Sequence, residues 1–167
     1  FSFGQEIEKK SKTFDLLKPH TQTKILYDKV GTVAKLTETK TEPLSSLDFK
    51  QAFHEIQRAD FLERLPKIDF LEAKTEKGFA ENIIPISILI SEFDAIKPSV
   101  REQNQLQLNA NNQYEITDSS IDYFNTHKIG FASPLIKQLK GTQLTFKILD
   151  ELIFNTTNQT ISKIEVN

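Results

Sequence analysis

The stretch from Asn82 to Phe93, NIIPISILISEF, is the most apolar run in the chain. Successive side chains of an extended strand point to opposite sides, so Ile84, Ile86, Ile88 and Ile90 share one face. Four β-branched side chains in that arrangement favour a strand and require an apolar partner surface. The helical patterns before the run and the short strands after it are the candidates to supply it.

Ser45 to Asp60 reads as the clearest helix. Ser45 with Asp48 three places on approximates a capping box, and the acid suits the positive end of the helix dipole. At 100° per residue, Phe49, Ala52, Phe53, Ile56 and Ala59 fall in one stripe about 120° wide. Gln51, His54, Gln57 and Arg58 fall on the other side. Pro66 predicts an end or change of direction near Asp60. A second helix fits Lys67 to Phe79, aligning Ile68, Leu71, Thr75 and Phe79, with Gly78 near its end. Two helices joined by a short proline turn make an αα-hairpin. The expectation is that its apolar side covers the isoleucine face of residues 84–90.

The N-terminal region is less patterned. Residues 6–12 are charge-rich, and Lys9, Lys10 and Lys12 read as a solvated face. Phe14, Leu16 and Leu17 start a helix that Pro19 interrupts. Val30, Val33 and Leu36 suit a short helix containing Gly31, and residues 37–43 read as a loop.

After Pro98 the spacing shortens. Leu106 with Leu108, Tyr114 with Ile116, and Ile121 with Tyr123 read as strand faces, with Asn109 to Gln113 as the turn between the first two. Residues 128–135 are less regular, and Leu135 to Leu139 suit one helical turn. Leu144, Phe146 and Ile148 alternate, Leu152 and Phe154 continue the strand, and Asp150 marks a bulge or turn. Ile161 to Val166 reads as a final strand. The fold class expected is α+β, an N-terminal helical pair packed on a mainly antiparallel β-sheet or β-sandwich. The parts expected are a tail or signal-peptide remnant at 1–12, a helical part plus central strand at 13–98, and a β-rich part at 99–167 that continues beyond the chain end.

Composition limits the chemistry. A chain of 167 residues can bury a core, and a hydrophobic fraction of 38% suits a folding chain without excess stability. A net charge of -2 and a pI near 6.0 give no long-range pull toward phosphate, so no nucleic acid is expected as a partner. There is no cysteine, which removes disulfides, thiolate catalysis and cysteine-ligated zinc. No run approaches the roughly 20 apolar residues of a spanning helix, so no transmembrane segment is expected. The chain begins with Phe1 and not Met, as a processed chain or a piece of a longer one does; Phe1 to Gly4 before Gln5 suit the end of a signal peptide or an arbitrary fragment start.

The residue patterns complete no reactive motif. The five glycines, at 4, 31, 78, 130 and 141, form neither a phosphate loop nor a dinucleotide fingerprint. Ser133, in GFASP, lacks the second glycine of a nucleophile elbow. His54-Glu55 opens like a metalloprotease helix, but Arg58 stands where the second imidazole is needed. His20, His54 and His127 show no ligand spacing and read as surface histidines. Asp118 and Asp122, with Asn109, Asn111 and Asn112, offer oxygens for calcium, yet the spacing matches no calcium loop and turn formation explains them. Asn155-Thr156-Thr157 and Asn158-Gln159-Thr160 are two sequons, relevant only in a glycosylating secretory pathway. Thirteen phenylalanines against three tyrosines and no tryptophan suggest core filling more than a sugar-stacking platform. No catalytic, cofactor-binding or metal-binding residue is assigned, and no cofactor is expected.

Gly130-Phe131-Ala132-Ser133-Pro134-Leu135, then Lys140-Gly141, LTFKI, ELIF and ISKIEV, together with the order of the earlier pieces, resemble the N-terminal region of large secreted proteins of Bacteroidetes such as flavobacteria. The resemblance is one of texture over residues 14–166. It implies export through a signal peptide, by the type IX route, to the outer cell surface or beyond, and it carries over no catalytic residue. The function expected is a noncatalytic extracellular domain that binds or docks a protein partner or other domains of the same chain. An accessory domain of a secreted hydrolase, with catalysis elsewhere, is the alternative.

Overall fold

The computed structural model describes residues 13–21, 25–26, 45–60, 62–137, 144–157 and 159–163. It shows an α+β fold. A 3₁₀ turn at Asp15–His20 contains Pro19 and precedes the short strand β1, Ile25–Leu26. Helix α1 runs over Ser46–Ala59 and helix α2 over Ile68–Ala80. The long strand β2, Ile83–Ile96, is followed by a one-turn helix α3 at Pro98–Glu102. Strands β3, Leu106–Leu108, and β4, Tyr114–Ile116, make a hairpin; β5 spans Phe124–Pro134 and β6 spans Thr145–Asn155. The expected helix over 30–36 and most of the final strand over 161–166 lie outside the described residues, and Ile161 to Lys163 are not in a strand.

Strand β2 is the axis. On one side β5 pairs with it antiparallel from Ile86↔Pro134 to Ile96↔Phe124 without interruption. On the other side β6 runs parallel to it from Ile83↔Thr145 to Ile90↔Asn155, and β1 pairs parallel at Asp94 and Ala95. The four-stranded sheet is therefore mixed. The parallel pairing of β6 was not legible locally, because strand direction depends on the crossover that returns the chain and not on alternation. Among the described residues helices, and not a second stacked sheet, cover the buried face.

The two helices cover the opposite face to the one expected. Pro85, Ser87, Leu89, Ser91 and Phe93, the odd positions of β2, are buried, whereas Ile86, Ile88 and Ile90 are only half-buried. Leu89 and Phe93 join Phe49, Ala52, Phe53, Ile56, Leu65, Leu71, Leu135 and Leu152 in the main core. The reason lies in close approach and polar pairing. A Cβ on Gly78 would stand 2.7 Å from the Ile83 carbonyl oxygen and 2.8 Å from Pro85 Cδ, so α2 is pressed directly onto the Pro85 side. The two serines of that face are tolerated because each hydroxyl has a partner: Ser87 Oγ donates to the Leu152 carbonyl at 3.1 Å, and Ser91 Oγ accepts from Thr156 Oγ1 at 3.0 Å.

Local signals set the helix ends. Ser45 Oγ accepts the Asp48 N–H at 3.1 Å, the first half of the expected cap. The stripe Phe49, Ala52, Phe53 and Ile56 is fully buried, contributing roughly 1.5–3 kcal/mol for each large side chain. Phe49 meets Phe131 edge-on at 5.2 Å and Phe53 meets Phe154 at 5.0 Å, which fixes α1 across β5 and β6. Asp60 ends α1 and turns its buried carboxylate to the N–H of Arg64 (2.8 Å) and to the Arg64 guanidinium (3.1 Å). Arg64 Nη1 also donates to the Thr156 carbonyl at 2.6 Å, tying the interhelical turn to the end of β6.

A second, smaller core gathers Leu17, Ile96, Val100 and Tyr123 beneath the β3–β4 hairpin, with Phe14 against Tyr114 at 5.4 Å. Ile121 and Tyr123 belong to this core as part of a turn region and not as a strand, since β5 starts at Phe124. In β6 the register jumps from Ile86↔Ile148 to Ile88↔Ile153, so residues 149–152 stand opposite Ser87 alone. This is the bulge expected at Asp150, and it reverses facing. Phe146 and Ile148 lie on the isoleucine side, whereas Leu152 and Phe154 join the main core.

Candidate functional site

The groups most often used in catalysis are dispersed over the fold. His20 is exposed at the end of the 3₁₀ turn, His54 is half-buried on α1, and His127 stacks on Phe93 at 5.4 Å. Glu55, beside His54, accepts from the Gln51 amide at 2.9 Å. Ser133 is buried on β5, its hydroxyl donating to the Pro134 carbonyl at 3.2 Å. Among the described residues no group of three or more His, Asp or Glu side chains is placed to hold a metal ion. No described helix is long and apolar enough to cross a membrane.

The oxygen-rich loops are accounted for by turns. Asn109 Oδ1 accepts the N–H groups of Asn111 and Gln113 at 2.9 and 3.1 Å, closing the β3–β4 hairpin, with Asn112 at φ 57°. The Asp118 carboxylate accepts the hydroxyl and N–H of Ser120, and these bonds hold its pKa below the ordinary carboxylate value. Asp122 is lowered likewise, first by its hydrogen bond from Lys97 at 2.5 Å and then by the Phe124 N–H. Asn155 Oδ1 accepts the N–H and hydroxyl of Thr157, and its amide nitrogen donates to the Gln159 carbonyl, so this sequon asparagine is held in a turn. Asn158 lies outside the described residues.

A cavity of about 20 Å³ lies between Thr75, Phe79, Ile84, Leu135 and Leu144. That is room for about one water molecule and not for a substrate.

The feature that departs most from a closed fold is the sheet face turned away from α1 and α2. Direct register partners share a face, so Ile86, Ile88 and Ile90 stand beside Pro134, Ala132 and Gly130 of β5. On the other flank they stand beside Ile148, Ile153 and Asn155 of β6, and Ile84 stands beside Phe146, which is 57% exposed. The result is an apolar strip across three strands. One end of the strip is closed by charge, where Lys128 and Glu92 pair at 3.5 Å. Sequence reading identified the isoleucines of this strip but missed Phe146, because alternation alone does not show that the bulge separates it from the core-facing half of β6.

No family model matches the chain, no curated protein matches it, and no solved structure matches its fold.

Proposed function

We propose that this chain is a noncatalytic binding or docking domain of a larger secreted or cell-surface protein, engaging a protein partner or another domain of its own chain. The observation that carries this reading is the apolar strip, above all Phe146 at 57% exposure beside a row of half-buried isoleucines. Contiguous apolar surface of this kind is costly to leave in water and is characteristic of interaction sites. His127 stacks on Phe93, Asp118 and Asp122 are held in turns or ion-paired, and no described group of three or more His, Asp or Glu is placed to hold a metal. An extracellular placement accords with the absence of cysteine and with the resemblance to exported surface proteins.

The test is affinity capture from cell-surface extracts with the immobilised chain, beside a Phe146→Ser variant. A protein retained by the parent chain and lost with Phe146→Ser supports the reading. Equal recovery by both, or nothing above background with the parent at about micromolar bait, overturns it.

A further inference from the structure

The two long edge strands of the sheet, β6 and β5, are built differently. The outer edge of β6 is interrupted at residues 149–152, where the bulge presents exposed Asp150 and Glu151. Bulges and charges of this kind blunt an edge against further strand pairing. Strand β5 has no such bulge. Its register with β2 runs unbroken from Phe124 to Pro134, Lys128 is the charged residue along it, and no described strand pairs with its outer side. Alternate N–H and C=O groups of such an edge point outward, ready to bond another strand.

Its side chains are graded in size. Over the isoleucine face β5 offers Ala132, Gly130 and then Lys128, standing beside Ile88, Ile90 and Glu92 respectively. A Cβ added to Gly130 would have the Ile90 Cγ1 as its nearest neighbour, at 3.8 Å, an ordinary contact distance. The two small residues therefore leave a trough on the edge strand, with isoleucine as its inner wall. The Lys128 side chain is 57% exposed, which leaves its ammonium able to meet a second carboxylate besides Glu92.

We infer that the outer edge of β5 over residues 125–132 accepts an extended peptide strand by β-augmentation. The occupant is an antiparallel segment with two bulky apolar side chains, two residues apart, followed two residues later by an acid. The apolar pair lies over Ala132 and Gly130 against Ile88 and Ile90, and the acid meets Lys128. Main-chain bonds along the edge supply affinity, and the trough and the lysine supply register. The inference rests on the docking reading above and names its partner class and its place.

The test uses the full chain, isotope-labelled, titrated with the peptide VTITETT, with amide shifts as readout. Shifts confined to residues 125–132 and their β2 neighbours are expected at up to about 1 mM peptide. Gly130→Val, whose Cβ has room beside Ile90, fills the trough and is expected to weaken binding about tenfold, and Lys128→Glu about fivefold. Absence of shifts, shifts centred on β6, or indifference to both variants overturns the inference. Peptide-free dimers in sedimentation that Lys128→Glu dissolves would assign the edge to a second copy, and so overturn it too. Surface-extract capture that survives Gly130→Val but not Phe146→Ser leaves the docking reading standing while the edge assignment fails.

Discussion

Single residues set how closely the layers meet. Gly78 is the sharpest case, because a Cβ there would come within 3 Å of the Ile83 carbonyl and the Pro85 ring. Alanine is the better helix former by about 1 kcal/mol, yet Gly78→Ala must push α2 off β2, and overpacking of this kind costs about 1–3 kcal/mol. The net expectation is a lower urea midpoint with an unchanged slope; a raised midpoint would refute the close approach. Asp60 is the counterpart among polar residues, since its fully buried carboxylate depends on Arg64. Asp60→Ala is expected to destabilise by about 3 kcal/mol, and a double-mutant cycle with Arg64→Met should return a coupling of about 1 kcal/mol or more. Asp118 and Asp122 carry a pH signature. Their carboxyl groups are held below the ordinary value in the folded chain, so the stability they contribute is present above the unfolded carboxylate pKa. It is lost as pH falls through the lower folded values. Carbon-detected titration should show both midpoints below that of an unstructured aspartate, and Lys97→Met should raise that of Asp122 alone. Neither Gly78 nor Asp60 betrayed its role in sequence: glycine near a helix end suggests a stop signal, and an Asp before a proline turn suggests a solvated cap.

At the scale of elements, what was legible followed from short-range periodicity. The stripe Phe49, Ala52, Phe53 and Ile56 fixed both the existence of α1 and its buried side, and Asn109 to Gln113 fixed the β3–β4 turn. The choice of which β2 face meets the helices was not legible. Hydrophobicity ranks Ile86, Ile88 and Ile90 above Pro85, Ser87 and Ser91, but packing selects the second set together with Leu89. Serine and proline allow helix α2 to come close, and the serine hydroxyls find partners across the sheet. Two phenylalanines test this assignment directly. Phe53→Ala, at a fully buried site, should cost about 3–5 kcal/mol in denaturant unfolding, whereas Phe146→Ala should cost less than about 1 kcal/mol. Equal losses would mean that the strip is core after all.

For the whole molecule, the α+β class could be read in advance, because helical spacing gives way to alternation near Pro98. The mixed sheet could not, because β6 reaches β2 only after the chain has passed through α3, the hairpin and β5. The candidate site was half legible: its isoleucines were evident, its edge was not, since an edge exists only once every strand has found its place. The widening of β6 at residues 149–152 has a consequence for how this chain can tolerate change. Removing three of those four residues would leave one opposite Ser87 and keep Ile148 beside Ile86, whereas removing two and closing the ladder by a one-residue slip would invert Ile148 and everything before it, carrying Phe146 inward. A deletion there thus keeps wet and dry surfaces or swaps them according to whether an odd or an even number of codons is lost.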